Sequence, residues 1–227
     1  MKPPASLQVA RQISARHREV TGRPAFQAVS TGDRGALYIY EQIGQDWWSG
    51  DGVTAKQVAE ALDQFKTGGV KALDIFINSP GGDIFEAKAI HSLIRRFEGE
   101  RVVHVDGIAA SAATLVAMAG DRIITAPAAT WMIHEVWAVA VGTAADMLAM
   151  AGVLEMENRT FAETYAKRTG QKVEDVAAWM AAETWMNAEQ AKERGFTDDI
   201  ADEATGDASA LAKALNDAVL TLRTLAA

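Results

Sequence analysis

Ser111 and His134 are the two side chains whose types and surroundings suit them to chemistry as a pair. Ser111 lies in the run Gly107-Ile108-Ala109-Ala110-Ser111-Ala112-Ala113, where flanking alanines leave its hydroxyl open to approach. A serine hydroxyl is a weak nucleophile until a base takes its proton, so the reading requires a histidine within reach. His134 closes Thr130-Trp131-Met132-Ile133, a short branched and aromatic run that reads as a strand. Of the other histidines, His17 sits in a polar N-terminal segment, His91 in a helical stretch and His104 in a strand-like one. Each residue also has an ordinary reading. A serine opening a helix is most often a cap, and histidine fills many packed, hydrogen-bonded roles.

Two glycine-bearing turns must position this chemistry. Leu73-Asp74-Ile75-Phe76 has the content of a buried strand, and Ile77-Asn78-Ser79-Pro80-Gly81-Gly82 ends it. Pro80 removes a backbone donor and Gly81-Gly82 permits positive φ, which leaves backbone N–H groups free to face a ligand. Ala87, Ile90, Ile94 and Phe97 then recur at helical spacing. The second turn repeats the plan. Arg101 to Asp106 reads as a strand, Gly107 is predicted to break it, and residues 108–113 enter a helix running to about Gly120. The N–H groups of that opening turn are suited to hold a negative oxygen.

Asn78-Ser79-Pro80-Gly81-Gly82, then Gly107-Ile108-Ala109-Ala110-Ser111-Ala112, then Met132-Ile133-His134, resemble in order and spacing the Clp protease proteolytic subunit family. The likeness is greatest to its phage and prophage branch, the Clp-like head maturation proteases. It runs from about Ala36 to Ile200 and includes Tyr38-Ile39-Tyr40, Val105-Asp106-Gly107 and the late block Glu183 to Ala191. The resemblance implies an α/β spiral of the ClpP and crotonase type, built from repeated strand-turn-helix units with a protruding handle helix. It implies Ser111 as nucleophile, His134 as general base, and the backbone N–H groups of Gly82 and Ala112 as the oxyanion hole. At the third triad position the housekeeping subunit has aspartate, whereas Glu183 stands here, with Asp175 as the fallback. A glutamate can orient an imidazole, but its extra methylene needs a different backbone distance.

Composition sets the outer limits. The 227 residues, 49% of them hydrophobic, are enough for one full core with appendages. The absence of cysteine excludes a disulfide framework and thiolate chemistry. A formal net charge of −8 argues against a broad nucleic-acid surface. No apolar run approaches a membrane helix, and no secretory leader is expected. We divide the chain into an N-terminal arm (1–35), a serine protease domain (36–200) and an acidic linker with a C-terminal helix (201–227).

Within the arm a short helix is expected before Gly22-Arg23-Pro24, then irregular chain. Ala36 to Ile43 is predicted as the first strand, followed by a glycine-rich loop carrying Trp47-Trp48. Thr54 should cap a helix over 55–66 with Val58, Leu62 and Phe65 inward, ended by Gly68-Gly69. Arg122 to Pro127 holds another short strand. Thr143 to Arg168 should form a helix of about seven turns, the handle of the resembled family, with Met147, Met150, Leu154 and Phe161 as an adaptable apolar contact. A helix over 173–182 contains Trp179, and Asn187 caps the next. Leu211, Leu215, Val219 and Leu222 share one face of a helix over 208–225, suited to an oligomer contact or to docking on capsid protein.

The expected activity is a serine endopeptidase without metal or nucleotide cofactor, since there is no Walker-type loop and no metal-ligand cluster in the sequence. Expected partners are copies of itself in a ring, with stacking of rings, and a protein substrate, capsid or scaffold protein. No ATP-driven unfoldase is included. The expected place is the bacterial cytoplasm or the interior of a phage procapsid. Two other classes compete: a crotonase-like acyl-coenzyme A enzyme, and a catalytically silent assembly protein, prompted by Glu183. The related signal peptide peptidases use serine and lysine, whereas His134 fits a histidine pattern.

Overall fold

Branched and aromatic residues decide where the sheet begins and how it is ordered. The computed structural model describes residues 25–45 and 52–202. The readings for the N-terminal helix, His17, Trp47-Trp48 and the helix over 208–225 lie outside the described residues. Phe26–Thr31 (β1) and Arg34–Ile39 (β2) form an antiparallel hairpin. The expectation that the first strand starts at Ala36 is thereby corrected. Phe26 and Ala28 pack on the main core, a tertiary gain that residue preference alone does not reveal.

The chain then alternates helix and strand: Ala55–Thr67 (α1), Ala72–Ser79 (β3), Ile84–Arg95 (α2), Glu100–Ala110 (β4), Ala112–Ala117 (α3) and Arg122–Thr125 (β5). Thr130–Ile133 (β6), Ala144–Thr169 (α4), Val173–Ala181 (α5), Thr184–Asn187 (β7), Ala188–Glu193 (α6) and Asp199–Ile200 (β8) follow. The sheet order is β1-β2-β3-β4-β5-β8, parallel from β2 onward. β4 is long enough to serve two neighbours. Its first half, Val102 to Val105, pairs with β5, and its end, Ile108 to Ala110, pairs with β6. β6 in turn pairs antiparallel with β7. The result is an α/β fold of repeated strand-turn-helix units around a mixed sheet.

Local signals account for the helix limits. Thr54 and Gln57 make a reciprocal capping box at α1, and Thr143 and Asp146 make another at α4. Asp83 caps α2 by accepting from the N–H groups of Phe85 and Glu86. α4 runs 26 residues, straight through Gly152, and ends at Gly170 in the left-handed conformation. Val58, Leu62 and Phe65 of α1 and Ala87, Ile90 and Ile94 of α2 bury against Leu37, Ile39, Leu73, Ile75, Ile77, Val103 and Val105. Each large aliphatic or aromatic side chain so buried contributes about 1.5–3 kcal/mol. On the opposite face Tyr38 stacks on Phe76, and Phe76 on His104, across three adjacent strands. Arg34 and His104 both reach Asp74 there.

Gly107 does not break β4. The strand continues through it with a shift of register against β3 between Ile77 and Ser79. A Cβ at Gly107 would stand 2.6 Å from Asn78 Oδ1, so the glycine serves close approach of the neighbouring strand. The following helix is also shorter than predicted, ending at Ala117. Phe161 is not part of an exposed handle contact but is buried. The exposed apolar residues of α4 are Met147, Leu148, Val153 and Met156.

Candidate active site

Ser111 stands between β4 and α3 with φ 55° and ψ −126°, outside the regions that L-residues favour. Such a backbone costs about 1–3 kcal/mol and persists only where its surroundings enforce it. Here they do so by hydrogen bonds. The Ser111 N–H donates to Met132 O at 2.8 Å, and its carbonyl accepts from the Thr114 N–H and the Thr114 hydroxyl. Thr114 Oγ1 also meets the buried Tyr165 hydroxyl at 2.6 Å. The Ser111 side chain makes no capping bond, although it occupies the cap position of α3. The ordinary reading of this serine as a helix cap is thus excluded by geometry.

Its hydroxyl instead lies 2.7 Å from His134 Nε2. β6 carries His134 to this place, since the parallel pairing of Ala110 with Met132 sets the ends of β4 and β6 side by side. Burial pushes the His134 pKa below the ordinary histidine value, and the nearby Glu183 carboxylate offsets part of that. The imidazole is therefore held neutral near pH 7, the form that can accept a proton. The atom pair and distance suit transfer of the Ser111 proton to His134.

The first glycine turn packs directly on this corner. Gly81 has φ 88°, and a Cβ there would stand 2.5 Å from Ala110 O and 2.8 Å from both Ala112 N and Ser111 Cβ. Only glycine lets the turn close on the serine. Buried Ser79 holds the turn from below, donating to Glu41 O at 2.6 Å and accepting from the Gly81 N–H at 3.2 Å. Gly82 bridges to Ile43 and lines the same cleft as Ser111 and His134. Ala112 opens α3 beside the serine and is buried. Its N–H belongs to the first helical turn, where donors lack partners within the helix.

Glu183 lies in the turn between α5 and β7, with φ 48°. The antiparallel register ends at the pair Ile133–Thr184, so His134 and Glu183 leave the strand pair at the same end, where the Glu183 charge acts on His134. Its carboxylate accepts a hydrogen bond from Trp185 Nε1 at 3.2 Å. Asp175, the fallback acid, is exposed in the first turn of α5, the far end of that helix from Glu183. His104 and His91 belong to other surroundings, in β4 against Asp74 and in α2 respectively.

Ser111 and His134 open onto a cleft of about 270 Å³. Gln42, Ile84, Val136, Trp137, Phe161 and Tyr165 complete its walls. Asp83 also lines it, with a carboxylate engaged in capping α2. Asn158 of α4 accepts from the Val136 N–H at 2.6 Å and fixes the extended segment that follows His134. These supporting residues escaped the sequence reading. One signal was present: Glu157, Phe161 and Tyr165 recur every four residues and form the inward face of α4. β7 was also missed, being only four residues long. Among the described residues, no group of three or more carboxylate and histidine side chains is placed to hold a metal ion.

The chain is similar to known proteins in sequence and in fold. The family model for Clp protease matches residues 50–204. The ATP-dependent Clp protease proteolytic subunit 1 of Corynebacterium jeikeium is 33% identical over 130 residues, covering 56% of this chain and 69% of that protein. The proteolytic subunit 2 of Corynebacterium diphtheriae is 29% identical over 158 residues, covering 69% and 79%. Among solved structures, a ClpP1 mutant from Listeria monocytogenes superposes with a TM-score of 0.64 at 23% identity, covering 75% of this chain and 93% of that one.

Proposed function

This chain belongs to the Clp protease family, and from that premise we propose that it is a serine endopeptidase with Ser111 as nucleophile, His134 as general base and Glu183 as supporting acid. The observation that carries the reading is the 2.7 Å approach of Ser111 Oγ to His134 Nε2, at a strained strand-to-helix corner opening on a cleft. Ser111 Oγ attacks the peptide carbonyl while His134 takes its proton. The carbonyl oxygen, now negative, accepts hydrogen bonds from the N–H groups of Gly82 and Ala112, each such donor being worth about 10²–10³ in rate. His134 returns the proton to the departing amine, and water then releases the acyl group from Ser111 by the same steps in reverse. Glu183 stabilises the imidazolium by its charge.

The catalytic domain occupies 36–200, with β1 from the preceding arm added to its sheet. Rings of this chain, stacked through α4, are supported by the exposed Met147, Leu148, Val153 and Met156. Processing of capsid or scaffold protein without an unfoldase, in the cytoplasm or inside a procapsid, is supported by the motif resemblance to the phage branch. Among the described residues no helix is long and apolar enough to cross a membrane.

The test is reaction of the purified full chain with a fluorophosphonate, read by intact mass, beside Ser111→Ala and His134→Ala. One adduct on the wild type that both substitutions abolish is expected. Co-expression with capsid or scaffold protein then tests for ATP-independent cleavage. One observation favours a second reading, a silent assembly protein: Glu183 stands where the housekeeping subunit has aspartate. A folded, assembled chain that takes no adduct would establish that alternative.

A further inference from the structure

We propose that Trp185 is a positioning residue for the acid of this site, its indole N–H holding one oxygen of Glu183 so that the carboxylate stays beside His134. The proposal rests on the assignment of Ser111, His134 and Glu183 given above and adds a residue to it.

Three observations carry it. First, Trp185 Nε1 donates to Glu183 Oε1 at 3.2 Å, and an indole nitrogen can only donate. Second, Glu183 and His134 leave the β6–β7 pair at the same end, just beyond Thr184 and Ile133, and the Glu183 charge acts on His134. The register pairs Trp185 with Met132, two residues before His134 in the chain. Third, Trp185 is 40% exposed, so packing does not account for an indole here, whereas its polar end has a partner.

The need for such a tether follows from the side chain. A glutamate carboxylate is three rotatable bonds from its backbone, and backbone placement alone leaves its position open. The backbone is fixed firmly: Met180 O accepts from both the Glu183 N–H and the Glu135 N–H, at 3.0 and 3.2 Å. This ties the chain on either side of the site to one carbonyl. The Thr184 hydroxyl donates to Trp179 O at 2.7 Å and anchors the next residue. With the main chain held, the indole supplies the remaining constraint on the carboxylate.

The test uses the full-length protein and Trp185→Phe, which keeps the ring and removes the N–H. Expected is a three- to tenfold loss of kcat with KM unchanged, and no further loss when Trp185→Phe is added to Glu183→Gln. A second readout does not depend on proteolysis: the titration of His134 followed by histidine-selective NMR and assigned with His134→Gln. The titratable groups around His134 are Glu183 from the α5–β7 turn, Asp83 and Tyr165 in the cleft wall, and the adjacent Glu135. Among them Glu183 raises the His134 midpoint. Trp185→Phe should therefore lower that midpoint, in the same direction as Glu183→Gln and by less. An unchanged midpoint, or an equal loss of kcat in the Glu183→Gln background, overturns the proposal. If the wild type proves inactive, the NMR result still decides the role of Trp185, while the adduct experiment alone decides that of Ser111.

Discussion

Replacing Gly81 by alanine should damage the reaction far more than the fold. The new Cβ would stand 2.5 Å from Ala110 O and 2.8 Å from Ala112 N, and both are backbone atoms that cannot swing aside. Restoring an ordinary contact of ~3.4 Å to the carbonyl requires about 0.9 Å of movement, since 3.4 − 2.5 = 0.9. The atoms that must move flank Ser111. A misplacement of about 1 Å at a reacting group costs on the order of 10²-fold in rate. The positive φ of 88° adds strain of about 1–3 kcal/mol, a loss a domain of ordinary stability survives. Gly170→Ala is the control: its φ is 73°, yet a Cβ there meets nothing within 4 Å. It should show the strain in urea unfolding and leave the rate of fluorophosphonate labelling at Ser111 unchanged. Gly81→Ala should show similar or greater destabilisation together with a labelling rate lower by about 10²-fold. Equal labelling rates in the two variants would refute the claim that the turn sets the position of the serine.

Three other perturbations are informative. His134 and His91 both have depressed pKa values, His134 by burial against the pull of Glu183, His91 by burial and the charge of Arg95. The unfolded chain then binds protons first, so stability is full above about pH 6.5 and declines as pH falls through the folded values. Asp74 does not confuse this window. Burial pushes its pKa up, but hydrogen bonds from His104 and Arg34 prevail and hold it below the usual 3.8, so its contribution is lost only in stronger acid. The urea midpoint should fall between pH 7.5 and pH 5, and His91→Gln should shrink the fall; a flat profile would contradict this. Lys88 meets both oxygens of Glu157, whose side chain is 3% exposed. Lys88→Met should cost about 3 kcal/mol, the low end for a pair with one partly exposed member, by leaving that carboxylate unpaired, and Lys88→Met/Glu157→Leu should recover most of it in the same unfolding assay. Leu148→Glu with Met156→Glu places charge on the exposed face of α4 and should lower the particle mass seen by light scattering, with a change in subunit stability within about 0.5 kcal/mol.

Legibility differed by the range of the interaction. Thr54, Asn187 and Gly170 announce helix ends through contacts a few residues long, and their helices end where the sequence predicts. Ser111 and His134 were recognisable because each sits at a junction marked by composition. β1, the continuation of β4 through Gly107 and the burial of Phe161 were not, because partners far along the chain decide them. Gly107 is instructive. Its effect depends on Asn78, 29 positions earlier (107 − 78 = 29), and nothing local separates a strand break from a close strand contact. Glu183 was singled out by its motif, whereas the hydrogen bond its carboxylate accepts comes from Trp185, which the sequence reading left without a role.

The double pairing of β6 makes the spacing of Ser111, His134 and Glu183 a property of strand register. A one-residue slip of β6 would exchange its faces, turning His134 away from the cleft and bringing Trp131 out of the core. Trp131 is fully buried, donates its indole N–H to Thr125 Oγ1 at 3.1 Å and packs against Phe196. Its packing and its hydrogen bond would both be lost in the slip, so it acts as an indexing pin. The approach of His134 to Ser111 is thus held by a residue buried behind it, and drift in the packing around Trp131 would lengthen that 2.7 Å contact before any loss of the fold.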